Sequence, residues 1–288
     1  MAEPEISVGS IDEGGPAAEG WRPRLVALDI DGTLLKWVAG SGQTHEEVAP
    51  AVRDAVHRVL DAGAQVVLAS GRSIHGMTRV ADLLELHRDE RLWIVASNGA
   101  VVFRYPPTEV VHEETFDASE AVPAILAQHP AALVAVEERG VGYRVNQEFP
   151  PGELSGEQIV SDVAEMVAQP VSRVIIRDPD ATADDFVQLG KRLGLRGTDY
   201  VVGWTAWMDL SPIGVSKASG LEYAAAQLDV EAADVLAIGD GRNDLEMLRW
   251  AGRGVAMGQA VQEVHDTADH STMTVDEDGA AVELSRWF

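Results

Sequence analysis

The chain has 288 residues, of which 46% are hydrophobic, and it carries 47 acidic side chains, 22 basic side chains and no cysteine. The length favours two domains, and the absence of cysteine excludes disulfides, thiolate metal sites and thiol catalysis. A net charge of −25 argues against nucleic acid and anionic membranes as partners, so a small anionic substrate needs a local cation, for which a divalent metal is the obvious candidate.

Residues 1–20 predict a disordered acidic tail. They contain neither a basic patch nor an apolar stretch, which argues against a secretory signal. No apolar run in the sequence reaches the length of a transmembrane helix. Together with the absence of cysteine, these features favour a cytoplasmic protein.

One local pattern occurs four times along the chain, namely a short apolar run followed by Asp, Ser, Asn or Gly. Continuous apolar runs are typical of strands that are buried on both faces of a parallel sheet. The four runs lie at 24–32, 64–72, 92–99 and 234–241.

Segments with helical periodicity accompany these runs and predict helices over 44–63, 73–87 and 242–252. In the first of them, Thr44 is the expected N-cap, with an acidic residue three positions later, and Gly63 is the expected stop. The alternation of strands and helices predicts an α/β fold with a doubly wound, Rossmann-like parallel sheet.

The alternation breaks after residue 99. A hairpin is expected over 101–116, and the elements that follow predict a small α+β domain at 117–209, inserted between core segments at 21–116 and 210–288. The core resumes with a helix over 214–230 whose first turn holds Lys217. The expected elements of the inserted domain are helices near 118–129 and 181–194 and strands near 132–137, 141–146, 171–177 and 200–210.

Carboxylates follow two of the predicted strands. Asp29 and Asp31 are one strand period apart, so both point to the same side while the backbone stays extended. Asp240 ends the fourth apolar run, and Asp244 lies at the start of the next helix. In open α/β sheets ligands bind outside the carboxyl ends of the strands, so these groups should converge on one crevice. Oxygen-only ligands favour a hard cation such as Mg²⁺.

The remaining polar groups at the strand ends suit an anion. Small residues permit a close backbone approach, and a hydroxyl, an amide and a lysine ammonium are available as donors to phosphate oxygens. Each short motif alone is more often a turn or a helix cap, but the combination indicates phosphoryl transfer through an aspartyl phosphate. The residues concerned are Gly32, Ser70, Gly71, Lys217 and Asn243.

Five segments resemble the motifs of phosphatases of the haloacid dehalogenase superfamily, and most closely those of its Cof-type subgroup. In that subgroup a large cap domain is inserted between the second and third motifs, and here residues 117–209 match it by position and length alone. The segments are DIDGTLL at 29–35, ASGR at 69–72, SNGA at 97–100, SPIGVSK at 211–217 and GDGRNDLEML at 239–248.

This resemblance implies that Asp29 is the nucleophile that becomes phosphorylated. It implies that Asp31 is the general acid and base and that its backbone carbonyl ligates Mg²⁺. Asp240 is implied as a metal ligand, and Asp244 as a residue that orients the metal and its water shell. True dehalogenases lack the second aspartate, so its presence here favours a phosphatase.

The same resemblance implies the groups around the phosphate. Ser70 and Lys217 are expected to bind the transferring phosphoryl group, Asn243 to orient it, and Arg72 to face the substrate or the cap. The implied substrate is a small phosphorylated metabolite such as a sugar phosphate. Two alternatives stay open: a phosphomutase or phosphotransferase with the same intermediate, and a phospho-accepting signalling module.

Aromatic residues near the end of the inserted segment are candidates for contacts with the substrate. Trp204 and Trp207 could stack on a sugar ring, and Met208 lies beside them. The alternative is that these side chains pack in the core of the inserted domain, as Trp and Met at strand spacing usually do.

Overall fold

The computed structural model describes residues 20–38, 44–86, 91–138, 141–178, 180–193, 198–202 and 207–288. The predicted tail at 1–20 lies outside these ranges except for Gly20. Among the described residues, no helix has the length and apolar character needed to cross a membrane.

The elements alternate between strands and helices along much of the chain. The described strands are β1 (Leu25–Leu28), β2 (Leu35–Trp37), β3 (Thr44–Val48), β4 (Gln65–Ala69), β5 (Leu92–Ala96), β6 (Val101–Tyr105), β7 (Glu109–Glu113), β8 (Leu133–Glu138), β9 (Gly142–Val145), β10 (Glu157–Val160), β11 (Val174–Arg177), β12 (Thr198–Val202), β13 (Trp207–Pro212), β14 (Val235–Gly239), β15 (Arg253–Ala256) and β16 (His270–Ser271). The described α-helices are α1 (Pro50–Asp61), α2 (Ile74–Leu83), α3 (Ala121–Gln128), α4 (Val163–Met166), α5 (Ala183–Leu193), α6 (Lys217–Gln227), α7 (Leu245–Trp250), α8 (Gln262–His265) and α9 (Gly279–Leu284). Short 3₁₀ turns occur at Ser97–Gly99, Ala232–Asp234, Arg242–Asp244 and Val275–Glu277.

Eight strands form the larger sheet, in the order β16-β15-β14-β1-β4-β5-β6-β7. The strands from β16 to β5 are parallel, and β6 and β7 add an antiparallel hairpin at one edge. Strand β1 lies between β4, the next strand of this sheet along the chain, and β14, which comes much later. The order of winding therefore reverses beside β1, where ligands bind in such sheets.

Helices cover both faces of the larger sheet. Helices α1, α2 and α9 contribute to the apolar core on one face, and α6, α7 and α8 contribute to the core on the other. All residues of β1 and β14 are buried as a result. The predicted α/β fold with a doubly wound parallel sheet is confirmed.

A smaller sheet of six strands is formed by residues between 133 and 212, in the order β10-β9-β8-β11-β13-β12. Apart from the parallel pair of β9 and β10, its strands are antiparallel. Helices α3 and α5 pack on one face of it. Strand β13 extends to Pro212, beyond the expected limit at 209, and the division into an inserted domain and two core segments stays a prediction.

The helix expected over 44–63 is wrong in its first part. Residues Thr44–Val48 form strand β3, which pairs antiparallel with β2, and the helix begins at Pro50 with Ala49 as its N-cap. Proline favours the first position of a helix and keeps the residue before it extended. The apparent cap at Thr44 is therefore part of a hairpin, whereas Gly63 follows the end of the helix as predicted.

Candidate active site

The predicted site residues of the larger sheet converge at one edge, formed by the carboxyl ends of its central strands. Asp29 directly follows β1, Ser70 follows β4, and Asp240 follows β14. Lys217 begins α6, which packs against the same end of the sheet. Parallel neighbours end at the same edge, which is why apolar runs far apart in sequence deliver their polar ends to one place.

A buried lysine lies between two carboxylates at the centre of this edge. Lys217 is fully buried, and its Nζ donates to Asp29 Oδ1 at 2.5 Å and to Asp244 Oδ1 at 2.6 Å. Burial alone would lower the pKa of Lys217, but the carboxylates of Asp244 and Asp29 outweigh it and raise that pKa above its usual value. The lysine is therefore charged and fixed in position.

Three carboxylates crowd around this single ammonium group. Oxygen atoms of Asp29, Asp240 and Asp244 lie within 4.8 Å of one another. Burial, followed by repulsion from Asp244, raises the pKa of Asp29 well above its usual range and the pKa of Asp240 to about 7. Oxygen-only donors with excess negative charge fit a hard divalent cation, and the cluster meets this requirement.

Asp244 is anchored by backbone groups as well as by the lysine. Its Oδ2 accepts hydrogen bonds from the backbone nitrogen atoms of Asp240, at 3.0 Å, and Gly241, at 2.8 Å. Gly239 makes room for this carboxylate, because a Cβ there would lie 2.4 Å from Asp244 Cγ. The sequence GDGRND therefore folds into a tight turn that holds one acidic side chain rigidly.

Two residues that the sequence analysis missed contact a carboxylate oxygen of Asp240. Gln259 Nε2 lies 3.3 Å from Asp240 Oδ2 and donates to the Gly32 carbonyl oxygen at 2.6 Å. Trp37 Nε1 lies 3.5 Å from the same carboxylate oxygen. Gln259 carried a usable signal, because it lies three residues after the short strand β15, near the same edge of the sheet. Trp37 ends β2, whose partner strand β3 was predicted as part of a helix, so the sequence pattern offered no reason to place Trp37 near the site.

Asp31 is bound differently from the other aspartates. Arg72 holds its carboxylate by two points, with Nε 2.9 Å from Oδ2 and a terminal nitrogen 2.5 Å from Oδ1. Both side chains are about one quarter exposed. The side chain of Asp31 is thus outside the carboxylate cluster, and Arg72 contacts this predicted acid and base.

Three of the predicted phosphate-binding residues lie next to Asn98, a residue to which the sequence analysis gave no role: Ser70, Gly71 and Asn243. Ser70 is buried, and its Oγ accepts from the backbone nitrogen of Arg72 at 3.2 Å. A Cβ on Gly71 would lie 3.1 Å from Asn98 Oδ1, and Asn243 donates to that oxygen at 3.0 Å. Asn98 belongs to the SNGA segment, so its position could have been included, but nothing local indicated its contacts.

The three residues of the inserted segment considered for substrate contact differ in their burial and in whether the structure describes them. Met208 is fully buried in the core between the smaller sheet and its helices, so the packing interpretation is confirmed for it. Trp207 is partly buried, with its ring 6.2 Å from that of Phe149 in an edge-on arrangement, and its contact with substrate stays a prediction. Trp204 lies outside the described residues.

The chain belongs to the family of haloacid dehalogenase-like hydrolases, which matches residues 26–284. It is similar to the putative phosphatase YxeH of Bacillus subtilis (strain 168), at 29% identity over 90% of this chain and 96% of that protein. It is 28% identical to the 5-amino-6-(5-phospho-D-ribitylamino)uracil phosphatase YitU of the same organism, over 93% of this chain and 98% of that protein. The solved structure of the phosphatase BT1666 from Bacteroides thetaiotaomicron matches with a TM-score of 0.74 and 26% identity, over 96% of this chain and 98% of that one.

The resemblance to Cof-type phosphatases of this superfamily is therefore confirmed. The protein is an enzyme of this type. Phosphatases of the family generally use Mg²⁺, and Asp29, Asp240 and Asp244 form a cluster of acidic groups at this edge of the sheet.

Replacement of Gly32 by alanine tests the packing around Asp240. Gly32 has φ of +84°, and a Cβ there would lie 2.1 Å from Asp240 Oδ2. We expect Gly32→Ala to destabilise the protein by about 1–3 kcal/mol and to weaken Mg²⁺ binding about tenfold or more, measured by calorimetry.

Gly63→Ala is the matched control, because Gly63 has φ of +81° but no atom within 4 Å of the added Cβ. It should reduce stability and leave Mg²⁺ affinity unchanged. Equal Mg²⁺ affinities in the two variants would contradict the close packing of Gly32 against Asp240.

The raised pKa values predict how stability depends on pH. The pKa of Asp240 rises from its usual 3.8 to about 7, so between these values the folded protein binds more protons than the unfolded chain. The stability of the metal-free protein should therefore fall as pH rises through this window. Mg²⁺ binds the deprotonated cluster, so its stabilising effect should grow over the same range.

Melting temperatures between pH 5 and 8, with EDTA or with Mg²⁺, measure both effects. Asp240→Asn should flatten the pH dependence and reduce the gain from Mg²⁺. A Mg²⁺ effect that is constant over this range would show that the cluster is not the Mg²⁺ site.

Proposed function

We propose that this protein is a Mg²⁺-dependent phosphatase that hydrolyses a small phosphomonoester, such as a sugar phosphate, through an aspartyl phosphate on Asp29. The observation that carries the proposal is the buried contact of Lys217 with Asp29 beside two further carboxylates. The lysine fixes one carboxylate oxygen of Asp29 and leaves the other as the nucleophile. When bound by Asp29, Asp240 and Asp244, Mg²⁺ supplies positive charge against the phosphate oxygens.

The reaction then proceeds in two displacements on phosphorus. In the first, an oxygen of Asp29 attacks the phosphorus atom, the bond to the leaving alcohol breaks, and Asp31 donates a proton to the leaving oxygen. In the second, Asp31 accepts a proton from water, whose oxygen attacks the same phosphorus atom. The bond to Asp29 breaks, and inorganic phosphate and the free carboxylate result.

Arg72 is proposed to hold Asp31 in position for both proton transfers. Its two-point contact fixes the plane of the carboxylate, and a planar guanidinium does this better than an ammonium group. Asp31 is also more exposed than Asp29, as required of a group that meets both the leaving alcohol and water.

A polyol phosphate is the proposed class of substrate. On the smaller sheet near the site, Asp209 is partly exposed and suits a substrate hydroxyl group, while Arg173 and Tyr143 are buried and hydrogen-bonded to each other. YitU, one of the similar proteins, is named for a phosphoribityl compound, which is a phosphorylated polyol. A phosphotransferase would use the same intermediate, but the similar proteins are named phosphatases, which favours water as acceptor.

Replacement of Asp29 tests the nucleophile. With Mg²⁺, the wild-type protein should release phosphate from p-nitrophenyl phosphate and from members of a panel of sugar and polyol phosphates, and EDTA should abolish this release. Asp29→Asn should reduce kcat by at least about a thousandfold, because the amide oxygen is a poor nucleophile. The measurement is phosphate release at saturating substrate, with circular dichroism to confirm folding.

Asp31→Asn gives the complementary result. It should slow turnover and allow phosphoenzyme to accumulate, because water is no longer deprotonated. A folded Asp29→Asn variant with wild-type activity would contradict the assignment of the nucleophile. A wild-type phosphoenzyme that resists water but transfers phosphate to added sugars would favour the phosphotransferase.

Replacement of Arg72 tests its role beside Asp31. Arg72→Gln should lower kcat by about tenfold to a hundredfold and change KM less, because the proton donor loses its orientation. Arg72→Lys should recover little of the activity, since a single ammonium group cannot hold both oxygens in plane. Steady-state kinetics with one sugar phosphate from the panel measure both constants.

Arg53→Gln serves as the control, because it removes an arginine–carboxylate contact of 3.1 Å to Glu85 that is exposed and away from the site. It should leave both kinetic constants unchanged. Full activity in Arg72→Lys would contradict the need for two-point contact.

A further inference from the structure

The turn Ser97–Gly99 after strand β5 has an unusual backbone. Ser97 and Asn98 both have φ of +52°, and Gly99 follows with φ of +103°. Left-handed conformations in residues other than glycine cost free energy and persist where the surroundings fix them, often at functional sites. Here the surroundings are close, since a Cβ on Gly99 would lie 1.9 Å from the carbonyl oxygen of Ser216, which precedes α6.

The side chain of Asn98 connects the candidate active site to the smaller sheet. Its Oδ1 accepts a hydrogen bond from Asn243 Nδ2 at 3.0 Å, and its Nδ2 lies 3.5 Å from Asp209 Oδ2 on β13. Its backbone nitrogen donates to the Ser70 carbonyl oxygen at 3.1 Å. Asn98 is only 6% exposed, so these contacts are sheltered from water.

Asp209, the residue of the smaller sheet that lies next to Asn98, is itself held by an arginine. Arg173 is buried and binds Asp209 Oδ1 through Nε at 2.9 Å and through a terminal nitrogen at 2.6 Å. The neighbouring residue of the turn makes a second connection, because Ser97 Oγ donates to Glu137 on β8. The turn therefore contacts the smaller sheet through two polar side chains.

The chain of hydrogen bonds has a fixed direction. An ionised carboxylate only accepts, so Asp209 selects the orientation of Asn98 in which the amide nitrogen faces Asp209 and the oxygen faces Asn243. Asn243 then gives one of its two amide hydrogens to Asn98 and keeps the other for an oxygen of the phosphate. Without the carboxylate, the Asn98 amide can turn over and place a donor against a donor.

We infer that Asn98 is a positioning residue that transmits the docking of the smaller sheet, through Asp209, to the phosphate-binding orientation of Asn243. This inference rests on the proposed function, because it takes Asn243 as a phosphate ligand. Docking of the smaller sheet then completes the phosphate site. Loss of the Asp209 contact reduces phosphate affinity although Asp209 does not itself bind phosphate.

The binding of inorganic phosphate in the presence of Mg²⁺ tests the inference without turnover. Isothermal calorimetry is performed on the wild type, Asn98→Gly, Asp209→Asn and the double variant. Glycine accepts positive φ freely, so Asn98→Gly removes the side chain without adding backbone strain. Each single variant should bind phosphate about fivefold to tenfold more weakly, and the double variant no more weakly than Asn98→Gly.

The control variant is Asp178→Asn, which alters a buried aspartate of the same region. Asp178 pairs with His129 Nδ1 at 2.8 Å, and the His129 ring lies 5.4 Å from that of Phe186, which belongs to the core on the helix-covered face of the smaller sheet. This variant should bind phosphate like the wild type. Equal weakening in Asp178→Asn would indicate general loosening of the smaller sheet and overturn the inference.

The remaining outcomes separate the two proposals. Additive losses in the double variant, or wild-type phosphate affinity in Asn98→Gly, overturn the coupling while the phosphatase assignment stands. A wild-type protein that neither hydrolyses phosphomonoesters nor binds phosphate overturns the proposed function, and the inference falls with it. Kinetic inhibition by phosphate provides the same comparison in the active variants.

Discussion

The buried ammonium group of Lys217, held between Asp29 and Asp244, is the interaction on which the rest of the site depends. An unpaired charge in this position would cost on the order of several kcal/mol, so ionised carboxylates have to accompany it. Asp240 adds a third acidic group, and the raised pKa values of Asp29 and Asp240 reflect first their burial and then the excess of negative charge. Protonation or a further cation restores the balance of charge, so the charge of the cluster depends on pH and the cluster is suited to a divalent metal.

That arrangement restricts the fold around it. Leu28 of β1 and Ile238 of β14 are paired in register, so Asp29 leaves β1 one residue before Asp240 leaves β14, and both reach the same edge of the sheet. The chain that follows β1 passes close to Asp240, since a Cβ on Gly32 would lie 2.1 Å from Asp240 Oδ2. The strands are fully buried between helix layers, so the positions of these charged groups are set by the packing of the apolar core behind them.

The sequence predicts the parts of the site that depend on local pattern, and the remaining parts depend on contacts between distant segments. Asp29, Ser70 and Asp240 were found because an apolar strand followed by a polar residue has the same appearance wherever it occurs. Asn98 lies within the SNGA motif, but its contacts with Asn243 and Asp209 join three separate segments and leave no local signal. The hairpin of β2 and β3 was missed because the spacing of Thr44 and Glu47 imitates a helix cap, while Pro50 marks the true start.

The acidity of the whole chain determines how such a site binds an anion. A net charge of −25 repels phosphate at a distance, and the ammonium group of Lys217 is already shared by two carboxylates. Attraction therefore has to arise within the crevice, from a bound cation and from oriented hydrogen-bond donors such as the Asn243 amide. Because donors without net charge bind an anion well only when they point at it, the orientation of that amide matters more here than in a basic protein. In the role inferred for Asn98, a contact that fixes this amide from the smaller sheet acts on phosphate affinity through Asn243.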